Sequence, residues 1–273
     1  MFQHLVSEHI VRILVCVKRV PAPGARINVT PDGQAVDTAF LGFTMSPHEE
    51  CAVEEAIRQI EQHGGEATVL TLGPSEADEQ VRYAASLGVQ KAMLLPTDGT
   101  DWDPQRTARA ITEAIQRMEA ADGAIDLILF GNESADSGGF QVGVRTAVAL
   151  GRPMVNGIKA LMVNPGDATV EARRESDAGL EVYKLAMPAV VGVKEGINLP
   201  RYPTMKGRLA SKKVSVDTFE STAAIGRQKL VELYQAAEKA SSTVILGKGP
   251  DAAAAVVDLL EELGVLNAGK AGA

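Results

Sequence analysis

Between Val11 and Gly151, short runs of consecutive apolar residues alternate with longer stretches whose apolar residues recur three or four positions apart. The first pattern marks strands buried on both faces, the second amphipathic helices. Residues 11–17 predict a buried strand, and Pro21-Ala22-Pro23-Gly24 then breaks regularity, with a polar loop expected to about Met45. Ser46-Pro47-His48-Glu49 has the form of a capping box with proline at the first helical position. Val53, Ala56, Ile57 and Ile60 follow at helical spacing until Gly64-Gly65 stops the helix. Residues 67–72 predict a second strand, ended by Gly73-Pro74. Ser75 and Asp78 open a helix carrying Val81, Ala84 and Ala85 that ends near Gly88, and residues 91–95 form a third short strand. Asp103-Pro104 caps a helix with Ala108, Ile111, Ile115 and Met118 on one face. Residues 127–130 form the next strand, and after a glycine-rich loop a further helix runs to Leu150-Gly151.

Repeated strand-then-helix units argue for a parallel sheet with helices on both faces. In such sheets ligands bind beyond the carboxyl ends of the strands, here Val17-Lys18, Leu72-Gly73 and Phe130-Gly131. The last of these opens the loop Gly131-Asn132-Glu133-Ser134-Ala135-Asp136-Ser137-Gly138-Gly139-Phe140-Gln141-Val142-Gly143. A strand that breaks into a glycine-rich turn and then a helix presents unpaired backbone N–H groups and the positive end of the helix dipole, which suits a phosphate. No Gly-Lys-Ser/Thr ends the loop, so it is not a P-loop, and Gly138, Gly139 and Gly143 do not fit the dinucleotide spacing. On pattern alone the loop is either a phosphate site or an ordinary strand-to-helix turn satisfied by water.

Beyond Gly151 the pattern changes. Residues 168–174 and 180–186 alternate around Asp177-Ala178-Gly179, which predicts an antiparallel hairpin, and residues 189–193 predict another buried strand. Residues 201–213 carry Arg201, Lys206, Arg208, Lys212 and Lys213 with no acid. This run is either a solvated face or a docking surface, since Tyr202, Pro203, Met205 and Leu209 interleave the cations. Residues 217–242 are polar and are expected to extend away from the core. A last helix starts at Gly249-Pro250-Asp251, carries Val256, Val257, Leu260 and Leu263, and ends at Gly264, and residues 267–273 read as a disordered tail. The expected division is an α/β domain over 1–216 and a C-terminal arm with its helix over 217–273.

The chain has 273 residues, 45% of them hydrophobic and 4% aromatic, which suits one α/β domain with appendages and close helix–sheet packing. A net charge of −8 gives no general case for nucleic acid. Cys16 and Cys51 form neither a disulfide framework nor a metal spacing, and His4, His9, His48 and His63 are scattered. No apolar stretch approaches the ~20 residues that span a bilayer. Residues 1–9 are neither signal nor transit peptide, so a soluble, reducing, cytoplasmic setting is expected. No nucleophile–base pair, metal cluster or catalytic dyad is visible, which argues against a stand-alone hydrolytic enzyme.

Several segments together resemble one family. These are Leu14-Val15-Cys16-Val17-Lys18-Arg19-Val20-Pro21, Met45-Ser46-Pro47 with Ala52-Val53-Glu54-Glu55-Ala56, and the loop from Asp136 to Gln141-Val142-Gly143. Most specific is the ordered set Met187-Pro188-Ala189-Val190-Val191, Asn198-Leu199-Pro200-Arg201-Tyr202-Pro203 and Ala210-Ser211-Lys212-Lys213. The chain is similar, from about Arg12 to Val216, to the beta subunit of electron transfer flavoprotein. The resemblance implies a mainly parallel, doubly wound sheet of the adenine nucleotide alpha hydrolase-like type with Rossmann-type layers, an antiparallel hairpin addition, and an extended C-terminal arm ending in a helix.

It also implies an electron carrier without its own substrate turnover. The family pairs with an alpha subunit that holds most of the redox FAD, the beta subunit binds AMP, and the C-terminal arm docks on the alpha subunit. Electrons pass from acyl-CoA dehydrogenases or similar flavoenzymes of fatty acid beta-oxidation to a membrane quinone oxidoreductase, with no insertion of this chain into the membrane. Some members hold a second FAD in place of AMP and bifurcate electrons; they usually carry Asp-Gly-Asp-Thr-x-Gln-Val-Gly-Pro. Here Asp136-Ser137-Gly138-Gly139-Phe140-Gln141-Val142-Gly143-Val144 keeps Gln-Val-Gly and lacks the Gly-Asp-Thr and the final proline, which favours AMP. Carried over residue by residue, the nucleotide site comprises Cys16, Ser46, Pro47, His48, Glu49, Leu72, Gly131, Asn132 and Asp136 through Gly143. Within that last stretch lie Ser137, Gly138, Gly139, Phe140, Gln141 and Val142, while Cys16 reads equally as a plain core residue. Tyr202, Met205, Lys206 and Arg208 fall in the partner-docking tract, with Met205 where the family presents an apolar anchor. Glu175 is either a hairpin-end charge or a residue of the alpha-subunit interface. A nucleotide-binding sensor of the stress-protein type would share the fold and an ATP or AMP site; Pro200-Arg201-Tyr202-Pro203 and the long C-terminal arm argue against it.

Overall fold

The computed structural model describes residues 10–237 and 243–266. Two compact units divide after Leu233. In the first, the chain runs through β1 (Val11–Val17), β2 (Val20–Pro21), β3 (Asn28–Val29), β4 (Val36–Asp37) and β5 (Phe43–Thr44) into α1 (Pro47–His63). It continues through β6 (Gly65–Gly73), a 3-10 turn at Ser75–Ala77, α2 (Asp78–Leu87), β7 (Lys91–Pro96), α3 (Pro104–Asp122), β8 (Leu127–Gly131) and α4 (Val142–Leu150). Then come β9 (Met154–Asn164), β10 (Thr169–Ser176), β11 (Gly179–Ala186), β12 (Ala189–Val193), α5 (Met205–Ser211) and β13 (Val216–Thr218). The second unit holds a 3-10 turn at Gly249–Ala252 and α6 (Ala253–Glu262).

The main sheet has strand order β11-β10-β9-β12-β8-β1-β6-β7-β13. The strands from β9 across to β13 pair in parallel, and only the β9–β10 and β10–β11 pairs are antiparallel. The central strand β1 has apolar residues on both faces because both are covered. Val11, Ile13, Val15 and Val17 pack with Val53, Ala56 and Ile57 of α1 and with Val81 and Ala84 of α2. Leu14 and Cys16 pack with Ala110, Ile111, Ala114 and Ile115 of α3 and Ala147 of α4. Each large apolar side chain buried this way contributes about 1.5–3 kcal/mol.

The strands and helices expected between residues 11 and 151 all form, and so do the hairpin and the strand at 189–193. The stretch expected as a polar loop to Met45 instead carries two small ribbons, β2 with β5 and β3 with β4. Strand β9, for which the pattern gave no signal, is the longest of the sheet. It bends at Gly157, whose φ is 73°, and its register on β12 shifts between Gly192 and Val193, which breaks the alternation that marks a half-buried strand.

The segment after Val216 is not detached. β13 lies parallel to β7, Phe219 packs on the α3 side of the core, and Ser221 Oγ and Thr222 N–H donate to the Glu113 carboxylate at 2.6 and 3.1 Å. The boundary expected after residue 216 therefore falls inside the first unit, because a three-residue strand in polar sequence has no periodicity to read. The expectations for residues 1–9, 238–242 and 267–273 lie outside the described residues.

Candidate functional site

From β1 the chain steps to β6 and β7 on one side and returns through β8 on the other, so the strand order reverses between β1 and β8. The crevice at the carboxyl ends of these two strands is where open α/β sheets place ligands. Three segments meet there: Lys18 just past β1, the start of α1, and residues 131–143.

The start of α1 is fixed by its own sequence. Ser46 Oγ accepts from the Glu49 N–H at 3.3 Å, and Glu49 Oε2 accepts from the Ser46 N–H at 3.0 Å. Glu49 Oε1 takes a second backbone donor, the Lys18 N–H, at 3.0 Å, so the capping carboxylate also ties α1 to the end of β1. Gly131 passes so close that a β-carbon there would lie 2.7 Å from Glu49 Cγ and 3.3 Å from His48 Cβ. His48 Nδ1 accepts from the Glu195 N–H at 2.8 Å, and its Nε2 lies 3.5 Å from Glu133 Oε1. The Asn132 N–H continues the β8–β12 pairing by donating to the Val193 carbonyl at 2.8 Å.

Within the loop, the Ser134 and Ser137 hydroxyls lie 2.9 Å apart, and the Gly138 N–H donates to the Ser134 carbonyl at 3.0 Å. Asp136 Oδ1 accepts from the Ser137 N–H at 2.7 Å, and Oδ2 accepts from Lys18 Nζ at 2.5 Å. Burial alone would raise the Asp136 carboxyl. The Lys18 ammonium, with hydrogen bonds from Lys18, Ser134 and the Ser137 N–H, outweighs it and holds the group below its ordinary value.

Left-handed backbone falls at Gly138 (φ 54°) and at Phe140 (φ 53°), not at Gly139. For Phe140, a half-exposed aromatic, that conformation costs roughly 1–2 kcal/mol. A β-carbon at Gly139 would meet nothing within 4 Å, so the backbone there is open to approach. Gln141 stands at the N-cap of α4 without capping it; its Oε1 is taken by Arg145 at 3.2 and 2.9 Å. No side chain therefore caps the first N–H groups of α4, where the positive end of the helix dipole lies. Gly143 serves packing instead: a β-carbon there would come within 3.0 Å of Met154 and 3.2 Å of Phe130.

The structure thus gathers Ser46, His48, Glu49, Gly131, Asn132 and the loop from Asp136 to Val142 at one sheet edge, with Pro47 as the first residue of α1. Cys16 lies beneath that edge, buried against Leu70 and Phe130, its thiol pushed up by burial and by the neighbouring Glu49. Leu72, near the end of β6, packs on the same core. Two positively charged groups at the loop, Lys18 and Arg145, were not singled out by the sequence. The signal for Lys18 was its position immediately after a strand that ends in the crevice.

Glu49 carries a pH signature. Burial pushes its carboxyl from 4.5 up to about 8, against the downward pull of the Ser46 and Lys18 N–H groups and the Lys18 charge. The folded chain then holds a proton that the unfolded chain releases near pH 4.5. The associated stability is complete below that pH and is lost as pH rises through about 8. Relative to Glu49→Gln, the wild-type chain is expected to lose a few kcal/mol between pH 5 and 8. Thermal melts of both chains across that range check it; parallel curves would show that Glu49 is ionised throughout.

The basic tract forms a separate surface. Thr204 caps α5, its Oγ1 accepting from the Gly207 N–H at 3.0 Å, and α5 seats on α2. Tyr202 and Met205 are 90% and 75% exposed, flanked by exposed Leu199 and Leu209. Lys206 and Arg208 stand on the same short helix. Arg201, counted with the free cations by sequence, is instead clamped: Nε lies 2.9 Å from Glu54 and Nη1 2.6 Å from Glu61, carboxylates two helical turns apart on α1. Glu175, near the end of β10, is exposed and lies 3.2 Å from Lys159 Nζ. Among the described residues there is no group of histidine, cysteine or acidic side chains that could hold a metal, and no helix is long and apolar enough to cross a membrane.

Comparison with known proteins adds a family to this geometry. The electron transfer flavoprotein domain matches residues 36–224. The electron transfer flavoprotein subunit beta of Syntrophomonas wolfei subsp. wolfei is 36% identical over 236 residues, 86% of this chain and 89% of that protein. The subunit of the same name from Bacillus subtilis is 31% identical over 225 residues, 80% of this chain and 86% of its own length. The one from Homo sapiens is 31% identical over 213 residues, 77% of this chain and 81% of its own length.

Proposed function

The chain belongs to the electron transfer flavoprotein beta-subunit family, and we propose that it is the nucleotide-carrying half of a heterodimeric electron carrier. In this reading it pairs with an alpha subunit and carries AMP in the crevice between β1 and β8. FAD, held mainly by the alpha subunit, supplies the redox chemistry, and this chain helps enclose it. The chain turns over no substrate of its own. It acts in the cytoplasm, accepting electrons from acyl-CoA dehydrogenase-type flavoenzymes that dock at residues 199–213 and passing them towards a membrane quinone oxidoreductase. Family membership sets aside the stress-sensor reading.

The observation that carries the nucleotide assignment is the uncapped start of α4 beside the open backbone at Gly139. A phosphate fits there: free N–H groups of Gln141, Val142 and Gly143 would donate, the dipole would favour its charge, and Arg145 stands in the first turn. Asp136 does not oppose this fit, because its charge is matched by Lys18. The apolar knob at Met205 on a capped helix supports the docking assignment, since a flexible thioether adapts to pockets on varied partners.

Denaturing release of ligands from the co-purified heterodimer, followed by chromatography, tests the reading. The expected result is equal amounts of FAD and AMP. FAD alone at twice that amount would replace AMP with a second flavin and assign the bifurcating type. One FAD per pair with no AMP would overturn the site.

A further inference from the structure

Residues 131–143 are attached to the body of the fold unevenly. At the entrance, Asn132 is bonded to β12 and Glu133 faces His48; at the exit, the chain enters α4. Between them, residues 134–140 bond mainly to one another: the Ser134 and Ser137 hydroxyls, the Gly138 N–H to the Ser134 carbonyl, the Ser137 N–H to Asp136. Among the described residues, the bond from Lys18 Nζ to Asp136 is the hydrogen bond that ties this middle stretch to another segment.

Lys18 is itself held. Its backbone N–H donates to the buried Glu49 carboxyl group, which also closes the capping box of α1, so the end of β1 and the start of α1 form one rigid corner. The Lys18 side chain is 37% exposed and that of Asp136 24%, so the ion pair is partly shielded from solvent. The Lys18 ammonium is therefore directed at the loop and engaged there.

We infer that Lys18 is a positioning residue: its ion pair with Asp136 latches the middle of the loop to the corner made by β1 and α1, and so sets the backbone at Ser137–Gly139 where a phosphate would approach. The inference rests on the nucleotide reading of the site but assigns a role to a side chain that does not touch the ligand. Asp136 is then the receiving half of the latch and not an adenosine ligand. The latch also neutralises a carboxylate that would repel phosphate.

The test is a double-mutant cycle on the full chain with Lys18→Met, Asp136→Asn and both together, plus Lys18→Arg as the conservative rescue. Two readouts are taken: hydrogen exchange at the Ser137, Gly138 and Gly139 amides, and AMP affinity by titration calorimetry. Each single change should speed loop exchange and weaken AMP about tenfold, the double should be no worse than the poorer single, and arginine should restore both. Melting curves identify any variant that has simply unfolded, and Lys18→Arg and Asp136→Asn keep the cycle decisive if Lys18→Met does. If Asp136→Asn keeps or strengthens AMP binding while Lys18→Met loses it, Lys18 acts on the phosphate directly and the latch is wrong. Unchanged loop exchange in the single variants would also overturn it. If the wild-type chain binds no AMP, the nucleotide reading fails, and the exchange data still decide the latch.

Discussion

Gly131→Val is expected to cost the chain about 3 kcal/mol or more and, on the proposed reading of the site, to empty it of nucleotide. Its backbone lies against the first turn of α1, and a β-carbon would sit 2.7 Å from Glu49 Cγ and 3.3 Å from the Glu49 nitrogen. The glutamate cannot swing away, because its carboxyl oxygens accept from the Ser46 and Lys18 N–H groups and are buried. Relief must come from moving β8 or α1, the two elements that form the walls of the crevice. Chemical denaturation and the AMP content of the purified pair check this. A variant that melts like wild type with its nucleotide in place would show that the contact relaxes locally.

The second large effect is expected at Gly207. A β-carbon there would lie 2.2 Å from the Ser86 carbonyl oxygen, a backbone atom at the end of α2 that no rotamer change can remove. Gly207→Val should lift α5 from its seat and, on the docking and nucleotide assignments proposed above, abolish reduction by the donor flavoenzyme while leaving the nucleotide bound. Met205→Ala leaves the seat intact and removes only the knob, so it should cost on the order of 1–3 kcal/mol, about tenfold to a hundredfold in coupling to the donor. That loss should depend little on salt. Charge removal at Lys206 or Arg208 should instead slow association in a way that fades as ionic strength rises. Stopped-flow reduction by an acyl-CoA dehydrogenase at two salt concentrations separates the three. Wild-type rates for both Gly207→Val and Met205→Ala would remove α5 from the docking surface.

What could be read from the sequence follows from which interactions are local. Ser46, Pro47 and Glu49 cap their helix through bonds three residues apart, so the start of α1 was legible, as was Asp103 at the start of α3. Strands β1, β6 and β8 are buried on both faces and announce themselves as apolar runs. The carboxyl-end rule then points to the edge where Lys18, the start of α1 and residues 131–143 meet. Hidden were features that depend on partners far along the chain. Arg201 looked free because Glu54 and Glu61 are distant in sequence. The tie from Lys18 to Asp136 spans the same kind of gap. Strand β9 has a bulge that spoils its alternation, and β13 is too short for any period. The left-handed turn at Gly138 follows the usual glycine signal, whereas the one at Phe140 runs against propensity and has no signal in the sequence.

The two margins of the large sheet have opposite dispositions toward other chains. One margin is β13, three residues long with Asp217 at its centre, a poor template for further pairing. It also arrives late: β7 is complete at residue 96, and its free side waits for residues 216–218, so a growing polypeptide keeps that side uncovered while the whole segment between them is made. The other margin is β11, eight residues long, with Leu180 and Val182 standing exposed. Lateral growth of the sheet is therefore one-sided, and an uncovered β11 is the margin that carries the liability to aggregate.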